Sequence, residues 1–154
     1  MNVYDLGIES TEAGDRWVRF YTRHKLAMPG LSAERPAFFA AHPRIEVMRN
    51  NQNIPRGTKQ QLGDYSNVNH NIHPVFSERA KQVLAPHLEG LGQWIELVPD
   101  HDPTYWLFYI TNVVDALDEQ KSEIKCFTDG GVMRIASFVF KPEAVQDQLL
   151  FTLP

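Results

Sequence analysis

The sequence predicts an α+β domain: a mainly antiparallel sheet in the C-terminal half, packed by one or two helices, after an irregular N-terminal half. Three observations predict it. Two pairs of apolar runs between residues 94 and 140 are each separated by turn formers. One strongly periodic helical stretch follows Ser77, and breakers interrupt the first sixty residues too often for long elements. A chain of 154 residues that is 43% hydrophobic suits one domain over 1–154, with residues 1–60 irregular and residues 76–154 supplying the helix and the sheet.

In chain order, WVRFY (17–21) has the aromatic and branched content of a strand, and IEVM (45–48) of a second short one. Pro29-Gly30, Pro36, Pro43, Pro55 and Gly57 punctuate this half. Between Pro55 and Pro74 aliphatic side chains are almost absent, which predicts a surface loop. Ser77 is placed to cap a helix whose core face is Ala80, Val83, Leu84 and Leu88, and Pro86 ends or kinks that helix before Gly90 and Gly92 stop it. WIELV (94–98) predicts a strand, and Pro99-Asp100-His101-Asp102-Pro103 reverses the chain into the next.

That strand, TYWLFYITNVV, places Tyr105, Leu107 and Tyr109 on one face and Trp106, Phe108 and Ile110 on the other. Both faces are apolar, which predicts the middle of a sheet covered on each side, one cover being the Ser77 helix. EIKCFT and VMRIASFVF flank Asp129-Gly130-Gly131 and pair as a hairpin. Lys141 to Val145 makes one helical turn with Pro142 at its start, and LLFTL returns as a last strand.

The net charge of −4 arises from 19 acidic and 15 basic residues, with the basic ones scattered, so nothing gathers a phosphate backbone and no nucleic-acid partner is expected. No stretch reaches the roughly 20 apolar residues of a membrane span, and no membrane partner is expected. The start is acidic by Asp5 and lacks an apolar signal core, which points to a cytoplasmic protein. Cys126 is the one cysteine, so no internal disulfide forms, and a buried or half-buried reduced thiol is the expectation.

His70 and His73 stand three apart in NHNIHP, and His101 lies between two aspartates, yet no HExxH, paired CxxC, GxSxG or phosphate loop is present. No metal site and no cofactor are expected. Asp115 and Asp118 are also three apart. If the segment turns helically they form a carboxylate pair for acid–base work; otherwise they hold a turn with Ser122. A small hydrolase or metal-dependent enzyme using His70/His73 or Asp115/Asp118 is therefore the alternative to a binding protein.

The run Tyr109-Ile110-Thr111-Asn112-Val113-Val114-Asp115-Ala116-Leu117-Asp118, followed by Lys121-Ser122-Glu123, resembles the aromatic-x-x-Asn-Val-x-Asp-x-x-Asp-x-x-x-Ser core of a bacterial immunity-protein family encoded beside polymorphic or secreted toxins. The resemblance extends from Gly63-Asp64-Tyr65, through Ser77-Glu78-Arg79-Ala80, to Val139-Phe140-Lys141-Pro142 and Leu150-Phe151. It implies a protein that binds and neutralises a cognate toxin, without catalysis; an adaptor for a secreted effector is the weaker alternative. On that basis Asp118 and Glu119, beyond the apolar run, are the expected partner-binding residues, facing a basic toxin surface, while Asp115 and Ser122 are expected to serve the turn.

Overall fold

The computed structural model describes residues 20–22, 35–49, 60–68 and 74–154. Contacts divide the chain into two compact units, Tyr4–Thr111 and Met1–Val3 with Asn112–Pro154. The fold class is α+β, as the sequence predicts.

In the first unit six strands pair in the order β1-β2-β5-β6-β4-β3. They are β1 (Phe20–Thr22), β2 (Arg44–Arg49), β3 (Tyr65–Asn67), β4 (Pro74–Ser77), β5 (Gly92–Pro99) and β6 (Tyr105–Ile110). All pairs are antiparallel except β2 with β5. Val68, just past β3, bridges Phe20 of β1, so the sheet curls until its two edges meet.

One face of the curled sheet holds the core: Phe20, Ile45, Val47, Val75, Ile95, Leu97, Tyr105, Leu107 and Tyr109 are all nearly inaccessible. The helix α1 (Arg35–Ala41) adds Phe39, whose ring lies 4.5 Å from that of Tyr109. The Tyr105 hydroxyl donates to the Gly63 carbonyl at 2.8 Å, satisfying the one polar atom this side chain brings inside. The other face carries Phe76, Trp94 and Phe108, with ring centroids 5.8 and 4.7 Å apart along that series. The helix α2 (Glu78–Leu88) lies against β4 and β6 there: Lys81 reaches over the Trp106 ring, and the indole N–H donates to Glu78. The strand β6 is thus central, covered on both faces, with α2 as one cover, as its doubly apolar pattern requires.

Ser77 caps α2 as expected, its Oγ accepting from the Ala80 amide at 3.1 Å. Pro86 sits inside the helix, which continues to Leu88, and Gly90 at φ +78° ends it. Val83, expected in the core, is 65% exposed. The reason is that Lys81 and Glu78 reach the aromatic rings, and Val83 lies about 200° around the helix from Lys81.

The short strand expected over 45–48 is present as β2, and the irregular first half needs correction at residues 35–41, which form α1. Seven residues are too few for α1 to show a helical period. Of the strand expected over 17–21, residues 17–19 lie outside the described residues. The surface loop expected between Pro55 and Pro74 contains the strand β3, with Ser66 and Val68 buried on either side of Asn67. Its pairing uses backbone groups, for which polar residues serve as well as apolar ones. Arg49 at the end of β2 grips Asp102 in the β5–β6 turn through both carboxylate oxygens, and only 4% of the Asp102 side chain is exposed. That contact raises the guanidinium pKa further, while burial raises that of the Tyr105 hydroxyl.

The second unit contains β7 (Glu123–Cys126), β8 (Val132–Ser137) and α3 (Pro142–Val145). The hairpin expected around Asp129-Gly130-Gly131 is present, with Gly130 at φ +86°. It forms a separate two-stranded sheet instead of extending the main one. LLFTL contributes only an isolated bridge from Thr152 to Val113. Cys126 is exposed, against the expectation of a buried or half-buried thiol, because the face of the two-stranded hairpin on which it stands is left uncovered there among the described residues.

Candidate partner-binding surface

Residues 112–122, where the apolar strand turns charged without glycine or proline, have no helix or strand of their own. Side chains and crossing backbones hold them. The Asn112 carbonyl accepts from Thr152, whose own carbonyl accepts from the Val114 amide, both at 2.9 Å. The Asn112 carboxamide donates to Gln148 Oε1 at 2.9 Å and to the Leu150 carbonyl at 2.7 Å. Further on, the Asp118 amide donates to Val139 and the Lys141 amide to Ala116, each at 2.8 Å, around a wholly buried Ala116. Ser122 Oγ accepts from the Val139 amide at 3.0 Å and donates to its carbonyl at 3.2 Å. Asn, Asp and Ser recur here because each can satisfy irregular backbone that a ladder would otherwise satisfy.

The two aspartates do not share a helical face. Lys141 Nζ lies 3.1 Å from Asp115, whose side chain is 79% exposed. Asp118 is the enclosed one, its side chain only 20% exposed. Its carboxylate accepts from the Lys121 amide at 3.3 Å and pairs with Lys121 Nζ at 2.8 Å. This reverses the expected order of freedom, in which Asp118 was to be the outer side chain. The Lys121 hydrogen bond holds the Asp118 carboxyl below its ordinary range and raises Lys121 in turn. Glu119 is exposed, with no hydrogen-bonded or ionic partner among the described residues. His70 and His73 lie outside the described residues; His101 is exposed, and no cluster of three ligating side chains occurs among the described residues.

The hairpin is amphipathic. Its register pairs Lys125 with Arg134 and Glu123 with Ser137, and on the opposite face Ile124 with Ile135 and Cys126 with Val132. Irregularities between Glu123 and Ile124 and between Lys125 and Cys126 keep that alternation while the strands slip. Toward the tip the apolar side chains stand in solvent: Phe127, Val132 and Met133 are each more than half exposed, as are Phe138, Val113 and Leu149 elsewhere in the unit. Sequence reasoning missed this surface, because an apolar strand reads as core unless its neighbours are known. The same unit holds seven carboxylates against four cations, so it accounts for three of the chain's four net negative charges.

The model of the immunity protein family (Imm11) matches residues 43–154, which takes in β2 and everything after it. No curated protein matches the chain.

Proposed function

The chain belongs to the immunity protein family (Imm11), and from that premise we propose that it binds a cognate bacterial toxin and neutralises it by occlusion, without catalysis. The family match over 43–154 carries this reading. Occlusion asks only for a complementary surface, with a few apolar anchors and a polar rim. The Asn112–Pro154 unit offers both kinds of side chain. Glu119 supplies a rim carboxylate to a basic toxin surface. Asp118 acts one step back, fixing through Lys121 the turn that presents Glu119.

The enzyme alternative draws little support from the geometry. Paired carboxylates work as acid and base when one has its pKa raised by the other or by burial. Here Asp115 and Asp118 engage different lysines, and the Asp118 carboxyl is lowered.

The test uses the toxin encoded beside this chain's gene. Co-production should restore growth of cells making that toxin, and the two purified proteins should co-elute. In a titration, toxin activity should fall linearly and vanish at molar equivalence. Inactivation of excess toxin by substoichiometric protein would favour an enzyme, full activity in the complex would favour an adaptor, and no complex would remove the proposal.

A further inference from the structure

The tip of the β7–β8 hairpin is the strongest interaction element in the described residues, and we propose that it is the anchor that enters the toxin: Phe127, Val132 and Met133 occupy an apolar cleft whose margin is cationic. This rests on the immunity reading and assigns the binding face within it.

The hairpin's construction supports the assignment. A two-stranded sheet on its own is marginal in water, and this one has both outer edges unpaired among the described residues. Its apolar face is half-covered only at the base, where Ile124 and Ile135 pair, and opens toward Cys126 and Val132. The tip itself is fixed. The Phe127 amide donates to the Gly131 carbonyl at 2.7 Å, the Gly130 amide to the Phe127 carbonyl at 3.1 Å, and the Gly131 amide to Asp129 Oδ1 at 3.0 Å. Phe127 is therefore held out by a closed turn, so little ordering entropy is lost when it is buried in a partner. Met133, passed over in the ladder between Arg134 and Val132 and more than half exposed, adapts to an irregular cleft.

Charge complementarity selects the partner. Within the unit Lys121 is engaged by Asp118, Lys125 by Glu123 and Lys141 by Asp115. That leaves Glu119, Asp129, Glu143 and Asp147 exposed and without an ion-pair partner among the described residues, against Arg134 as the one such cation. An acidic excess in the unit that carries the apolar projection, with Asp129 in the tip itself, fits a cleft lined by apolar groups and rimmed by lysine or arginine, whose attraction speeds encounter at low salt. A second copy of this chain has the same acidic excess and fits less well.

The experiment measures affinity for the neighbouring toxin by calorimetry at two salt concentrations, with Phe127→Ala, Met133→Lys and Val132→Asp, and with Val83→Ala as a control on α2. Each hairpin variant should weaken binding about 30-fold or more at unchanged thermal stability, and the control should bind as wild type. The triple variant Glu119→Gln, Glu143→Gln, Asp147→Asn should bind more weakly at low salt and lose most of the salt dependence. If Val132→Asp unfolds, Phe127→Ala decides alone. Wild-type binding with every hairpin variant unimpaired would overturn this assignment while the immunity reading stands; absence of wild-type binding would overturn both. Sedimentation of the free protein at the same concentrations completes the test. A dimer abolished by the hairpin substitutions would assign the face to a second copy and overturn the toxin anchor.

Discussion

Gly92, the first residue of β5, shows how tightly one position is constrained. A Cβ there would stand 2.7 Å from the Phe108 ring and closer still to the Tyr109 carbonyl oxygen, which belongs to the neighbouring strand and cannot swing aside. Gly92→Ala should therefore separate β5 from β6 locally and cost about 1–3 kcal/mol, measured by urea titration. Asp118 sets a pH dependence. Its carboxyl is held below the ordinary 3.8 by Lys121, so in acid the unfolded chain binds a proton that the folded one refuses. The stability this confers is present above the ordinary value and is lost as pH falls through the folded one. Asp118→Asn should flatten the acid limb of stability against pH below about 4 and leave neutral stability less altered. An unchanged acid limb would show that the Lys121 contact does not persist in solution.

At the scale of elements, α2 is fastened at its start. Ser77 Oγ donates to Asp64 Oδ1 at 2.6 Å while accepting from Ala80, and Asp64 also pairs with Arg79. Arg79 first and Ser77 second hold the Asp64 carboxyl below its ordinary value. Ser77→Ala should remove about 1 kcal/mol of stability by exposing the helix's first donors, read by denaturant titration, and should raise the Asp64 pKa by NMR titration. Start and cap of α2 were legible from Ser77 because capping is a local bond between residues three apart. Of the expected core face Leu88 is buried and Ala80 and Leu84 are half-buried, so Val83 alone departs; that a lysine stem and a glutamate serve a tryptophan was not legible, because both look polar in sequence.

For the molecule as a whole, the two sheets should differ in how readily they open. The strand β6 lies between β5 and β4 with Leu107 and Phe108 both wholly buried, whereas β7 and β8 pair only with each other among the described residues. Hydrogen exchange should protect the β5 and β6 amides most strongly, and those of the hairpin should exchange at least tenfold faster through local opening. Equal protection would mean that the hairpin is covered in solution. Phe108→Ala should cost about 3–5 kcal/mol, since a wholly buried ring packed against Trp94 would leave a cavity.

The sequence by itself determined the elements whose cause is local. The doubly apolar run of β6, the turn at Pro99–Pro103, the Asp129-Gly130-Gly131 reversal, the Ser77 cap and the proline-started turn at Pro142 all follow from residues a few positions apart. Only the tertiary structure decided that β2 runs parallel to β5, that Tyr65–Asn67 is a strand, that the sheet closes at Phe20 and Val68, and that the hairpin is a sheet of its own with exposed apolar side chains toward its tip. It also decided which of Asp115 and Asp118 is enclosed, through Lys121 and the carbonyl of Val139. The physical reason is common to these cases. Strand partners are joined by backbone groups that every residue but proline can offer, and whether an apolar side chain is core or interface depends on what lies across from it, which no window of sequence contains.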